Sequence, residues 1–258
     1  MGIDNQIYNR IGDSWWDEDN PLNLLHGSFT AGRFAYFRDV LQRTGRDPVG
    51  RTAVDIGSGG GFLAEEFARL GCRVIGLDPS EVSVRTALGH ARSSGLDARY
   101  VVATGERLPL ADEVADVAYC CDVLEHVSDL DRVIAETARV LKPGGIYLFD
   151  TINRTLASKL LVIKVMQEWN LTRIIDTELH SWAMFIKPAE LEEVLHRHGL
   201  HLGDIAGLGL RANKLGVLRN FARARRGTIT MGQLSRAVNA GRVKPTNISY
   251  LGFATKPS

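Results

Sequence analysis

The chain has 258 residues, a net charge of +1, 45% hydrophobic and 24% charged residues, enough for one α/β domain with insertions around a full core. The balanced charge gives no global pull toward nucleic acid or an anionic membrane, and no apolar run approaches the roughly 20 residues of a membrane span or forms a signal peptide. Cys72, Cys120 and Cys121 make neither a Cys-x-x-Cys pair nor a disulfide framework, so a reducing cytoplasm is expected.

Ile3, Ile7 and Ile11 recur at helical spacing until Trp15-Trp16-Asp17 interrupts them. Ser28 is placed to cap a helix from about Phe29 to Arg43, with Phe34, Phe37 and Leu41 on one face. The two tryptophans fit either a helix packed over a sheet or a lid that closes on a ligand.

From residue 50 to 151 strand and helix alternate. Strands are read at 52–57, 73–78, 98–102, 115–121 and 145–151, and helices at about 61–70, 80–94 and 129–141. This is the pattern of a doubly wound parallel sheet, which binds ligands at the carboxyl ends of its strands. The first strand breaks at Gly57-Ser58-Gly59-Gly60-Gly61, where glycine lets the backbone bend and approach a ligand with no Cβ in the way. The Asp-x-Gly-x-Gly-x-Gly spacing resembles the loop of class I S-adenosylmethionine (SAM) methyltransferases, although dinucleotide enzymes carry a similar triad. The Leu124-Glu125-His126-Val127 and Leu141-Lys142-Pro143-Gly144-Gly145 runs resemble the methyltransferases and separate the two.

Each acid near a strand end then has a role. Asp78, with Pro79 beside it, ends the second strand where a carboxylate accepts hydrogen bonds from ribose hydroxyls. Asp55 either takes up the ligand's ammonium or stabilises the turn. Glu106 sits where the fold contacts adenine, or is a solvated first-turn acid.

Residues 152–186 form an insertion dominated by Leu156, Leu160, Leu161, Ile163, Val165, Met166 and Trp169, with Lys159, Lys164 and Arg173 between them. A helix this apolar must be covered on more than one side. The segment 156–175 fits an apolar substrate lid, a peripheral contact with the inner membrane face, or a homodimer contact. Pro188 opens the next helix and Gly199 ends it, before a strand at about His201 to Leu208. The basic run 211–245 holds two short helices and reads as a solvated face. With only Phe221 as an aromatic it lacks the stacking pattern of a nucleic-acid binder. Ser249–Thr255 is the last, antiparallel, strand.

Several blocks together resemble the ubiquinone-biosynthesis O-methyltransferases, a class I family that methylates catechol and phenolic hydroxyls on prenylated rings. These are Trp15-Trp16-Asp17, Leu25-His26, Arg33, the glycine loop, Leu77-Asp78, Leu124 to Val127, Lys142 to Gly145, Thr151-Ile152-Asn153-Arg154, His180 and Phe185 to Leu191. The resemblance implies a Rossmann-like α/β fold with a seven-stranded, mostly parallel sheet, helices on both faces, an N-terminal helical lid (1–48) and a core (49–258) with insertions at about 152–186 and 211–245. It implies that SAM is held by Arg33, Asp55, Gly57, Gly59, Gly61, Asp78, Pro79, Glu106 and Cys121, with Arg33 on its carboxylate. It also implies a divalent-metal site at Asp122, Glu125 and His126, a fair set for Mg²⁺ or Mn²⁺, although Asp122 stands where the family has glutamate. Leu-Glu-His-Val also occurs in class I methyltransferases that use no metal. His126 and His180 are the candidates to accept the hydroxyl proton. The expected activity is O-methylation of a small phenolic or catechol acceptor, prenylated or quinone-like. N- or C-methylation of a specialised metabolite, and a non-methylating SAM-binding or membrane-docked assembly protein, are the alternatives.

Overall fold

In the computed structural model, residues 4–169 and 178–258 are described. Ile3, Arg173 and the predicted helix end at Ile175 therefore lie outside the described residues. The strands are β1 (Thr52–Ile56), β2 (Arg73–Asp78), β3 (Ala98–Val102), β4 (Ala115–Cys120), β5 (Leu141–Ile152), β6 (His201–Leu210), β7 (Ala240–Val243) and β8 (Ser249–Thr255). They form one sheet in the order β3-β2-β1-β4-β5-β8-β6-β7. The strands β1 to β5 pair in parallel, whereas β8 runs antiparallel to both β5 and β6. The order reverses between β1 and β4, and this opens a crevice at their carboxyl ends.

Among the described residues the sheet has eight strands where seven are expected. The extra one is β7, which pairs antiparallel with the end of β6 from Gly207↔Val243 to Leu210↔Ala240. Its sequence, Ala-Gly-Arg-Val, has no alternation to announce it, and only its partner makes it a strand. The strand β5 also starts four residues early, because Leu141 pairs with Ala115 beyond a register shift.

The helices are α1 (Ile7–Arg10), α2 (Ala31–Arg43), α3 (Phe62–Arg69), α4 (Glu81–Ser93), α5 (Leu130–Val140), α6 (Leu156–Ser158), α7 (Pro188–Arg197), α8 (Lys214–Arg225) and α9 (Met231–Val238). Phe37, Val40 and Leu41 of α2, with Leu63 and Phe67 of α3 and Val84 and Ala87 of α4, cover one face of the sheet. Val133 and Ile134 of α5 and Leu191 and Leu195 of α7 cover the other.

Ser28 does not cap α2. A wide π turn, Leu25–Thr30, leads into that helix, and the Ser28 hydroxyl donates to the carbonyl of Ser235 in α9 at 2.5 Å. A distant partner has taken the group that local sequence offers as a cap. The insertion after β5 starts with α6, capped by Thr155, and widens into a π coil, Lys159–Glu168. Val162 and Ile163 bury against Phe185, whereas Leu156 (80% exposed), Leu160 and Leu161 face outward. Lys159 lies over the Trp182 ring at 4.6 Å and Lys164 pairs with Glu168 at 2.5 Å. The described residues contain no helix long and apolar enough to cross a membrane.

Candidate active site

The glycine loop joins β1 to α3 along the crevice. Gly57 has φ +78°, and a Cβ there would stand 2.2 Å from Cγ2 of Val123 in the loop after β4. Gly59 and Gly61 also have positive φ. Asp78 is buried, with one carboxylate oxygen accepting from the Gly59 amide at 2.9 Å and the other from the Ser80 amide at 2.8 Å. Burial raises its pKa, and the Ser80 and Gly59 amides oppose that rise. Pro79 beside it is exposed and turns the chain into α4. Asp55, inside β1, is buried behind the loop. Burial and then the Asp78 charge raise its pKa, with Arg33 opposing them. Glu106 accepts from the Ser128 amide (3.0 Å) and hydroxyl (2.9 Å), and so ties the loop after β3 to the loop after β4.

Beyond β4, half-buried Cys121 leads to Asp122, which has φ +54° and whose amide donates to the Asp150 carboxylate at 3.0 Å. Arg33, buried in α2, pairs with Asp122 at 2.5 Å and with Asp150 at 2.9 Å. Burial alone would lower the Arg33 pKa, but Asp122 and Asp150 outweigh it. Burial, and the Asp122 charge against the opposing Arg33, leaves the Asp150 carboxyl raised.

Glu125 accepts from the Thr151 hydroxyl at 2.7 Å through Oε2, while its Oε1 and the Nδ1 of His126 are buried with no hydrogen-bond partner among the described residues. The His180 ring lies 5.0 Å from that of His126. Gln167 pins the His180 backbone from both sides, at 2.8 and 3.0 Å. Glu125, His126 and His180 each bring a ligand atom within 4.8 Å of the others. The structure thus gathers a different trio from Asp122, Glu125 and His126, because Asp122 is engaged by Arg33.

The N-terminal segment closes over these groups. Trp15 donates to the Ser83 hydroxyl at 2.9 Å and lies against Gly59 and Gly60, and Trp16 donates to the Gly60 carbonyl at 2.9 Å. Tyr8 is the residue that sequence reasoning missed. Its carbonyl accepts from Ser80 at 3.0 Å, and its ring meets His126 edge-on at 6.3 Å. Burial and then the charges of Asp122, Glu125 and Asp78 raise its phenol pKa. A lone tyrosine in a short helix carries no local signal of that position.

A methyltransferase-domain family matches residues 54–149. The ubiquinone biosynthesis O-methyltransferase of Methylobacterium sp. (strain 4-46) is 39% identical over 208 residues, 78% of this chain and 82% of that one. The chain belongs to the ubiquinone biosynthesis O-methyltransferase family. The Brucella anthropi member is 34% identical over 258 residues, covering 97% of this chain and 94% of its own. Among solved structures, a SAM-dependent methyltransferase of Thermotoga maritima, described as a possible histamine N-methyltransferase, superposes with a TM-score of 0.61 at 19% identity over 97% of this chain and 98% of that one. The [4+2]-cyclase SpnF gives 0.56 at 22% identity over 86% and 80%. These two likenesses show the class I fold. As a member of this family the protein is a SAM-dependent methyltransferase.

This family member keeps both histidines neutral. Burial and then His180 depress His126 to about 3, against the pull of Asp122, and burial depresses His180 to about 4. A histidine depressed below its unfolded value near 6.5 contributes stability above that pH, which is lost as pH falls toward the folded value. Metal-free protein should therefore lose stability between about pH 6.5 and 4, with a slope of up to about 1.4 kcal/mol per pH unit for each histidine. His126→Gln should flatten that slope by one proton in urea titrations. Identical slopes would show that His126 is not buried neutral. Glu125, raised by burial and then by Asp122, pulls the opposite way in both proteins, so the test reads the difference between their slopes.

Proposed function

We propose that the protein is a SAM-dependent O-methyltransferase acting on a phenolic or catechol hydroxyl of a small quinone-like acceptor with an apolar, prenyl-type tail. The observation that carries this reading is the cluster of buried Glu125 with half-buried His126 and His180, with two polar atoms left for a ligand. The family relatives carry the O-methyltransferase name, and the leucines of α6 and the coil after it offer an apolar approach.

The methyl carbon passes in line from sulfonium to oxygen: the C–S bond breaks, the C–O bond forms, and the hydroxyl proton leaves. Holding the two reactants in line supplies most of the acceleration. The oxygen becomes strongly acidic as the methyl arrives, so a weak neutral imidazole such as His126 or His180 suffices to take its proton. The chain's donor set also fits a divalent ion, which when bound would lower the hydroxyl pKa in advance. Glu125, His126 and His180 would hold it, and one carboxylate with two imidazoles suits Mn²⁺ or Zn²⁺ better than Mg²⁺.

The test is methyl transfer from labelled SAM to a panel of catechols, prenylated phenols and hydroxyquinones, with and without EDTA. The expected product carries one methyl on oxygen, and a methyl found on nitrogen or carbon would refute the acceptor assignment. Asp78→Ala should weaken SAM binding by about one to two orders of magnitude, the worth of charge-assisted hydrogen bonds to the ribose. An unchanged dissociation constant by calorimetry would remove Asp78 from the cofactor site.

A further inference from the structure

Asp204 is the last acidic residue of the chain. The 54 residues after it carry ten lysines and arginines and no acid, so the overall +1 conceals a net charge of −9 before that point and +10 after it. Much of this charge is spent inside the fold: Lys256 donates to the Ala138 and Leu141 carbonyls, Arg211 to Asn239, and Arg236 pairs with Glu18. The helix α8 is different. Arg219, Arg223 and Arg226, at its cap, are exposed and make no ion pair among the described residues. On the same helix Leu215 is 75% and Leu218 66% exposed, one turn apart and in line with Arg219 and Ala222. A merely solvated face gains nothing from two leucines held in water.

The position of α8 adds to this. It follows the carboxyl end of β6, as α6 follows that of β5, and Ser249 of β8 lies between the two ends, opposite Ile152 and Leu208. The loop before β8 packs against the insertion, with Asn153 donating to the Thr246 carbonyl and Ile248 packing on Val162 and Ile163. The exposed leucines of α8 and of α6 with its coil thus rise from one rim of the sheet, the rim that carries the active site.

We propose that α8 docks on an anionic lipid bilayer, with Leu215 and Leu218 entering the boundary between head groups and acyl chains and Arg219, Arg223 and Arg226 meeting the lipid phosphates. Apolar insertion and cationic attraction are each weak alone, and together they give stable, reversible attachment. Nucleic acid fits this face poorly, because α8 has one aromatic, the half-buried Phe221, and its leucines would stand against phosphates. The proposal does not depend on the acceptor assignment, since an enzyme with a water-soluble acceptor could dock in the same way.

Flotation of the full chain with vesicles tests it, comparing phosphatidylcholine alone with a mixture containing about one-third phosphatidylglycerol. The protein should bind the anionic vesicles only, and bind less as salt rises. Arg219→Gln/Arg223→Gln/Arg226→Gln should lower partitioning by about two orders of magnitude, from roughly a factor of five per arginine. Leu215→Ser/Leu218→Ser should lower it about tenfold or more, and neither set should change thermal unfolding. Equal binding to neutral vesicles, or α8 variants that bind like the parent, would overturn the proposal. A loss confined to Leu156→Ser/Leu160→Ser would assign the contact to α6 alone and refute α8. Binding to single-stranded RNA without vesicle binding would refute it too, as would a dimer on a sizing column that only the leucine variant dissolves. Failure of the acceptor assignment would show separately, in the methyl-transfer products.

Discussion

Gly57→Ala should abolish SAM binding and cost about 2–5 kcal/mol of stability. The left-handed φ accounts for about 1–2 kcal/mol of this in a residue with a Cβ. The rest is overpacking, about 1–3 kcal/mol, because that Cβ would stand 2.2 Å from Val123. Relief would move the loop after β4, which also carries Asp122 and Glu125, so the damage spreads from the cofactor side to the acceptor side. Adding Val123→Ala should recover the overpacking part and leave the φ part, as read by denaturant titration and SAM calorimetry. Normal SAM affinity in Gly57→Ala would mean that the loop does not approach the cofactor.

Arg33→Met is expected to have the second large effect. It removes the one cation that, among the described residues, pairs with Asp122 and with Asp150, which is fully buried. Breaking a buried pair from one side costs about 3–5 kcal/mol, because a charge is left without its partner. Without Arg33 the Asp150 carboxyl rises further. A group with a raised folded pKa contributes stability below its unfolded value, and that contribution is lost as pH climbs through the folded value. The cost of Arg33→Met should therefore be smaller at pH 5 than at pH 8. Arg33→Met/Asp150→Asn should restore most of the stability, since no unpaired charge then remains at position 150. The same double variant isolates the ligand role of Arg33: it should fold well and still bind SAM weakly. Full SAM affinity in the stable double variant would confine Arg33 to structure.

That ion pair also shows how the site differs from its sequence reading. Arg33, Asp122, Glu125, His126 and His180 were singled out in the sequence through the family resemblance, and the structure brings them to one crevice. Their partners were not legible. Spacing along the chain groups Asp122 with Glu125 and His126, but the left-handed turn at Asp122 hands its carboxylate to a helix 89 residues away. His180, its backbone held by Gln167, takes the place beside Glu125 and His126. Tyr8 reaches the crevice through its carbonyl's bond to Ser80, which no local pattern announces.

By itself the sequence determined the first five strands, the helices between them and the glycine loop. Each of these depends on neighbours within a few residues: alternating apolar runs, caps such as Ser80, and glycines where φ is positive. The tertiary structure alone decided what depends on remote partners. It made β7 a strand by offering it the free edge of β6, and it drew Ser28 away from its helix to Ser235. It left Leu215 and Leu218 outside the core, because the sheet buries only the helix faces that can reach it, and α8 packs on α9 rather than on a strand.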